Sequence, residues 1–321
     1  LRILFVGDPH VTVDELADAK RMTDYVHFVA DTNNVDVVCF LGDQHHNHSL
    51  LRVEVVQFWR EALSKIGNSD RVVMLVGNHD RPHDRNYPHH GLVAYENCCE
   101  IVASPTEEIL DSKVLYVPWM PNDRFVETVQ NASGDLLVCH QTFNGAKYDN
   151  GMYAPDGVDV SAVYGFKKVI SGHIHKPQKF ANIEYIGAPR WRTMSDANQQ
   201  RNFLLYDSKT GTSQYFPMEG VCEAIYVHDD YEGLDDPLPK LQEPYRLFVN
   251  IRGSQSYIDR RKSHWNSRAN VATFPTRTAK YQIKESMGVN AALAKHLEYF
   301  VPPNGTDLTV LHKMVAERIH V

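Results

Sequence analysis

Five apolar, strand-like runs in this chain stop at residues of metal-ligand type. Phe5-Val6-Gly7 leads into Asp8 and His10, the run 37–42 into Asp43, 72–77 into Asn78 and His79, 136–139 into His140, and 169–172 into His173 and His175. One such ending carries little information, but five imply that separate strands deliver oxygen and imidazole ligands to one shared edge. In an open α/β sheet that edge lies at the carboxyl ends of the strands, where active sites of such folds gather. Carboxylate, amide oxygen and imidazole together suit divalent ions such as Mn²⁺, Mg²⁺, Fe²⁺ or Zn²⁺, and no cysteine joins the set. A carboxylate at the end of a central strand, here Asp43, can bridge two ions roughly 3.5–4 Å apart, the spacing that clamps the attacking and leaving oxygens of a phosphoryl displacement. The expectation is a two-metal site.

The segments differ in how much they say. Asp8-Pro9-His10 and Gly42-Asp43 alone are ordinary turn sequences, and a lone His140 is more often a core histidine. Gly77-Asn78-His79-Asp80 is more specific, because an Asn ligand beside a His that need not bind metal is an unusual arrangement. Gly172-His173-Ile174-His175 places two imidazoles on alternate residues, able to reach two adjacent ions if the backbone turns between them. Histidine is abundant, with 17 copies. His45, His46, His48, His83, His89 and His90 crowd the loops after two ligand-bearing strands and read as surface histidines, His46 excepted.

The elements that must position these residues alternate. The pattern predicts a strand over 2–6, a helix over 14–31 with Leu16, Ala19, Met22, Val26 and Val29 on one face, a strand over 35–41, a helix over 50–66 and a strand over 71–76. The period switches from continuous apolar to about 3.6 residues and back, which marks βαβ units. Strands unbroken by polar residues are buried on both faces. Further strands are expected at 114–117, 135–139, 167–171, 183–186, 203–207 and 213–216, the last four close enough for hairpins. A second sheet facing the first would give a layered sandwich with helices outside. Residues 141–166 form a long Gly-, Tyr- and Asp-rich segment without period, and loops of that kind are usually functional. The acidic, proline-bearing stretch 229–244 reads as a linker or an irregular crossing. Beyond it, a smaller unit would hold a strand at 245–251, a helix at 254–266, a strand at 278–284 and helices at 289–299 and 306–319.

With 321 residues, 43% hydrophobic and 23% charged, the chain can build one large core and a smaller domain. Its longest apolar runs fall far short of the roughly 20 residues that span a bilayer, so a soluble, cytoplasmic protein is expected. Cys39, Cys98, Cys99, Cys139 and Cys222 form neither a CxxC pair nor an even set, which fits a reducing compartment. Net charge is −7, yet between Asn250 and Lys284 eight basic residues, Arg252, Arg260, Arg261, Lys262, Arg268, Arg277, Lys280 and Lys284, face only Asp259. That stretch is either a solvated face or a contact surface for a phosphate backbone, and charge alone leaves both open.

The ordered set DxH, GD, GNHD, H and GHxH resembles the signature of the calcineurin-like metallophosphoesterases, over residues 1 to about 216. More narrowly, the chain is similar to the SbcD family of nucleases that process DNA double-strand breaks, in particular its shorter phage versions. The features are Asp43-Gln44-His45-His46, GNHD in place of GNHE, Pro118-Trp119, and Tyr185-Ile186-Gly187-Ala188-Pro189 after GHIH. The resemblance implies an α/β fold, a four-layer α-β-β-α metallophosphoesterase sandwich over residues 1–220, with a smaller α+β capping and DNA-binding domain over 221–321. It implies one ion on Asp8, His10, Asp43 and His175 and another on Asp43, Asn78, His140 and His173. Two Mn²⁺ are expected, with Mg²⁺ a poorer substitute.

By the same resemblance His79 matches a histidine that assists the leaving oxygen, a task suited to an imidazole near neutral pH, and Asp80 would orient it. His46 matches a further histidine that approaches the substrate phosphate. The implied activity is Mn-dependent DNA hydrolysis in recombination and repair, as 3′–5′ exonuclease and single-strand endonuclease, beside a coiled-coil ATPase of the SbcC type. Asp307 to Ile319, with Leu308, Leu311, Val315 and Ile319 at helical spacing, either grips that partner or packs on its own domain. A homodimer through the helix after Asp43 and the segment after Asp80 is a further family expectation. Two rival functions fit parts of the sequence. A phosphomonoesterase shares the ligand set, although protein phosphatases of this class usually show GDxxDRG where this chain has GDQHHNH. A non-catalytic adaptor for an ATPase would have no need of His79.

Overall fold

The computed structural model describes residues 1–67, 71–83, 88–109, 111–234 and 237–276. Two crossovers open the chain: β1 (Arg2–Val6), α1 (Leu16–Thr32), β2 (Val37–Phe40), α2 (Val53–Ile66) and β3 (Arg71–Leu75). There follow β4 (Glu100–Val102), β5 (Thr106–Ile109), β6 (Lys113–Val117), α3 (Asn122–Val129), β7 (Gly134–His140), β8 (Phe166–Gly172), β9 (Gln178–Phe180), β10 (Ile183–Tyr185), β11 (Asn202–Asp207) and β12 (Thr212–Pro217). They form two six-stranded sheets, ordered β12-β11-β1-β2-β3-β4 and β5-β6-β7-β8-β10-β9. β1 to β4 pair in parallel, as do β6, β7, β8 and β10, with antiparallel strands flanking both runs.

Side-chain alternation along the strands explains their burial. Ile3 and Phe5 of β1 point between the sheets, where they join Cys39 and Val73 against Tyr116, Val138 and Ile170. Leu4 and Val6 point the other way and are covered by Met22, Val26 and Val29 of α1 and by Trp59 and Leu63 of α2. The outer face of the second sheet is covered by Phe125 and Val129 of α3. The result is the four-layer α-β-β-α sandwich, and a run such as VVCF is apolar throughout because both its faces are buried. Trp59, fully buried with its ring 5.3 Å from that of Phe40, is worth roughly 3–5 kcal/mol against alanine.

Several elements depart from the sequence expectation. Residues 167–171 and 183–186 do not form a hairpin. Gln178–Phe180 supplies β9, which pairs antiparallel with β10, so β10 returns parallel to β8. The hairpin of β11 and β12 is present. β4, β5 and β9 were not expected, being three or four residues long and too short to carry a period. Residues 229–231, read as linker, end a strand, β13 (Ala224–Tyr231). The loop after β7 holds only a 3-10 turn at Val160–Val163 and isolated bridges.

The described residues divide into two compact units, the first within 1–228, 237–249 and 268–270, the second comprising 229–234, 250–267 and 271–276. A separate three-stranded sheet is ordered β13-β14-β15, with β14 at Tyr245–Gly253 and β15 at Asn270–Pro275, and α4 spans Gln255–Trp265. Within the second unit Asp230 accepts hydrogen bonds from Tyr257 Oη at 2.6 Å, Arg261 Nε at 2.6 Å and Trp265 Nε1 at 2.7 Å. Arg252 pairs with Asp229 at 3.6 Å and lies 4.2 Å over the Phe274 ring. Two members of the basic stretch are thus neutralised by acids that precede it in sequence. Arg277, Lys280, Lys284, the strand expected at 278–284 and the helices expected at 289–299 and 306–319 lie outside the described residues. Among the described residues, no helix is long and apolar enough to cross a membrane.

Candidate metal centre

The ligand-type residues meet at one edge, on three strands of the first sheet and two of the second. Asp8, Asp43 and Asn78 lie two or three residues past β1, β2 and β3, His140 ends β7, and His173 follows β8 directly. Asp43 sits in the middle. Its Oδ2 lies 3.5 Å from His10 Nε2 and 3.4 Å from His140 Nε2, and its Oδ1 accepts the His79 backbone N–H at 2.8 Å. On one side His10 Nε2 and His175 Nε2 are 2.8 Å apart, with Asp8 Oδ2 3.9 Å from His175. On the other, Asn78 Oδ1 lies 2.8 Å from His173 Nδ1 and 3.1 Å from His140 Nε2. Asp43, His140 and His173 form one group able to hold an ion, and His10, His46 and His79 form another.

Close backbone approach makes this convergence possible. Gly42 has φ +113°, and a Cβ there would meet the His140 ring; a Cβ on Gly77 would collide with Asp43. His10, Asp43 and His173 themselves occupy the left-handed region, at φ 45°, 55° and 80°. Each such non-glycine residue costs of order 1–3 kcal/mol, and strain of that kind concentrates at functional sites. The His10 and Val11 backbone N–H groups donate to the Asp43 and Gln44 carbonyls at 2.9 and 3.0 Å, which locks the first two ligand loops together.

The donor set fits divalent cations. Asp8 is 1% exposed, and among the described residues neither carboxylate oxygen makes a hydrogen bond of normal geometry. Burial pushes its carboxyl up to about 7, against the pull of His140. His140 Nδ1 donates to the Leu41 carbonyl at 2.8 Å, which turns Nε2 toward the oxygens of Asn78 and Asp43. Burial disfavours protonated His140, but Asp43 outweighs it and raises the imidazole to about 9. Burial likewise raises Asp43, yet His140, His10 and His79 hold it well below the usual carboxylate range. Burial lowers His10, His173 and His175, and His173 reaches about 3, so these imidazoles are neutral and free to ligate.

Of the other expected site residues, His79 lies beside the cluster, its ring 4.6 Å from that of His10, and its Nδ1–H donates to the His46 carbonyl at 2.6 Å. The Asp80 carboxylate is engaged elsewhere. Buried at 2% exposure, it accepts the backbone N–H groups of Asp43, Gly77 and His45 at 2.9, 3.0 and 3.2 Å, and among the described residues none of its hydrogen bonds reaches the His79 imidazole. His45 turns inward to Tyr95 Oη at 2.9 Å, whereas the His46 ring lies 5.6 Å from His10 and 5.8 Å from His79. His48, read as a surface histidine, stacks on His79 at 4.2 Å.

Sequence reasoning missed three arginines. Arg192 Nη1 donates to His46 Nδ1 at 3.2 Å, and its Nε donates to Glu15 at 2.9 Å. Arg190 donates to the Pro9 carbonyl at 2.9 Å, between Asp8 and His10. Arg201, fully buried, donates to the His175 carbonyl and to Asp196. The available signal was Arg190-Trp191-Arg192 directly after Gly187-Ala188-Pro189, two cations at alternate positions in an acidic part of the chain.

Comparison with known proteins identifies several relatives. The chain is similar to exonuclease subunit 1 of Enterobacteria phage T4, at 25% identity over 270 residues, 78% of this chain and 75% of that protein. It is also similar to a protein of Invertebrate iridescent virus 6 whose name marks it provisionally as a phosphoesterase, at 27% identity over 230 residues, 67% of this chain and 79% of that one. A solved structure described as a novel archaeal phosphodiesterase matches with a TM-score of 0.35 at 12% identity, over 68% of this chain and 99% of that one. The family model for calcineurin-like phosphoesterases matches residues 1–177, more than half of the chain. With that match over the segment that carries all the clustered ligands, the chain belongs to the calcineurin-like metallophosphoesterase family.

Proposed function

We propose that this chain is a Mn²⁺-dependent DNA nuclease, a 3′–5′ exonuclease and single-strand endonuclease that serves as the nuclease subunit of an SbcCD-type complex. The observation that carries the two-ion reading is Asp43, one carboxylate oxygen within 3.5 Å of imidazoles from two separate ligand groups. Asp8, His10, Asp43 and His175 would hold one ion, and Asp43, Asn78, His140 and His173 the other. When bound, the pair supplies Lewis-acid activation of water and neutralises charge on the phosphate. Mn²⁺ suits a set with two carboxylates, one amide and four imidazoles.

The chain's own residues do the rest. His79 is fixed by its Nδ1–H bond to the His46 carbonyl, which leaves Nε2 as the nitrogen that exchanges a proton with the departing 3′ oxygen. His46, beside His10 and His79, approaches the substrate phosphate, and Asp80 acts by tying the loops that carry Asp43 and Asn78. The name of the phage T4 relative supports exonuclease activity and the role of a subunit; a coiled-coil ATPase partner, DNA as substrate and a homodimer belong to this same proposal. One assay tests it: linear DNA and para-nitrophenyl phosphate are offered with Mn²⁺, with and without the ATPase, to wild type and His79→Ala. Nucleotide release that is lost in the variant is expected. Turnover of the monoester without DNA cleavage would assign a phosphomonoesterase instead, and inertness on both with the ATPase present would assign an adaptor.

A further inference from the structure

Arg192 has no assigned task, and its surroundings suggest one. It lies beyond Tyr185, the last residue of β10, in the segment that follows Pro189, and its side chain is only 14% exposed. Glu15 anchors it through Nε, while Thr12 Oγ1 donates to the same carboxylate at 3.2 Å and so fixes that carboxylate in turn. Arg190 also approaches Glu15, at 3.4 Å, but is separately bonded to Asp18 at 3.3 Å and to the Pro9 carbonyl. Glu15 therefore holds Arg192 in place without matching all the positive charge around it.

The remaining contact is the informative one. Arg192 Nη1 donates to His46 Nδ1, an uncharged acceptor, and Nη2 makes no hydrogen bond among the described residues. A guanidinium can only donate, so His46 Nδ1 must present its lone pair and the ring's proton must sit on Nε2. The contact thus fixes the tautomer of an imidazole that stands beside His10 and His79. Only two carboxylates, Asp8 and Asp43, belong to the clustered ligand set, so two bound divalent ions leave that set net positive. A partly buried cation is tolerated next to such a set when an anion completes the arrangement, and planar fork geometry is what phosphate oxygens match.

We propose that Arg192 binds the substrate phosphate together with His46, donating to its non-bridging oxygens and holding His46 in the tautomer that donates from Nε2. The inference rests on the phosphodiester reading above and deepens it by naming a phosphate anchor. It is tested with bis(4-nitrophenyl) phosphate, a diester too small to touch a DNA-binding surface. Arg192→Ala is expected to lower kcat/KM about 100-fold, as loss of a preorganised donor does, and to weaken competitive inhibition by inorganic phosphate at least 10-fold. Mn²⁺ affinity should stay at its wild-type value. Arg192→Lys keeps the charge but cannot serve Glu15 and His46 together, so it should recover only part of the loss; it also stands in if the alanine variant does not fold. His46→Ala combined with Arg192→Ala should be little worse than His46→Ala alone, because the two act as a unit.

Unchanged phosphate inhibition in Arg192→Ala, a fall in Mn²⁺ affinity that parallels the loss of activity, or multiplicative losses in the double variant would each overturn the assignment. Wild-type inactivity on the diester would remove the phosphodiester reading itself. Calorimetric binding of inorganic phosphate to the Mn²⁺-loaded protein would still decide whether Arg192 anchors phosphate.

Discussion

Asp80 offers the sharpest test of how the site is held together, because its carboxylate caps three backbone N–H groups on two different ligand loops. Replacing it by alanine strands those donors in a region where the residue is 2% exposed. Each buried donor left without a partner costs about 1–3 kcal/mol, so Asp80→Ala should lose roughly 3–6 kcal/mol once some relaxation is allowed. That is a large share of the roughly 5–15 kcal/mol typical of a domain. Asp80→Asn keeps one oxygen for the Asp43 and Gly77 N–H groups but turns its NH₂ toward the His45 N–H, and should cost about 1–3 kcal/mol. Urea unfolding followed by circular dichroism measures both. Calorimetry should show weaker Mn²⁺ binding in Asp80→Asn, since the backbone of Asp43 is no longer pinned. Asp80→Ala within about 1 kcal/mol of wild type would refute the reasoning. A variant that lost turnover alone, with stability and Mn²⁺ affinity intact, would return Asp80 to the role of orienting His79.

Other outcomes follow from single contacts. Gly42→Ala places a Cβ against the His140 ring at a φ that alanine rarely adopts, and should abolish Mn²⁺ binding as read by calorimetry. Tyr95→Phe removes the 2.9 Å bond to buried His45 and should lower stability in a thermal melt by about 1–2 kcal/mol, with turnover unchanged. Burial would raise Asp230, but hydrogen bonds from Tyr257, Arg261 and Trp265 hold it below the ordinary carboxylate range. With its folded pKa depressed, Asp230 contributes stability above the unfolded pKa and loses it as pH falls through the folded one, so Asp230→Asn should flatten the acid limb of an unfolding curve below about pH 4. Adding Mn²⁺ at about 100 times its dissociation constant should stabilise the metal-free protein by about 2.7 kcal/mol per site, an increment that EDTA reverses.

Much of the sandwich was legible because its central strands carry so plain a signal. β1, β2 and β3 are apolar at nearly every position since helices cover one face and the second sheet the other, and each run ends at a glycine before its ligand. β4, β5 and β9 were illegible because three or four residues cannot display a period. The parallel return of β10 depended on β9, so missing one strand misplaced the pairing of the next. At the site, motif spacing brought out the residues that now cluster, but motifs say nothing about where hydrogen bonds go. Asp80 follows His79 directly in sequence, which suggested a partnership with its ring, whereas the turn sends the carboxylate to backbone amides instead. Arg192 was missed for a related reason: it reaches His46 across 146 residues of chain, a proximity that only the fold creates.

The central claim is that Asp43 stands between two cations. Anomalous diffraction at the manganese edge from crystals soaked in Mn²⁺, with electron paramagnetic resonance of the same protein in solution, tests it most directly. The account predicts two ions per chain, about 3.5–4 Å apart and exchange-coupled, with Asp43 adjoining both and at most one remaining in Asp43→Asn. A single ion in the wild type, or two ions separated by more than about 6 Å, would contradict it.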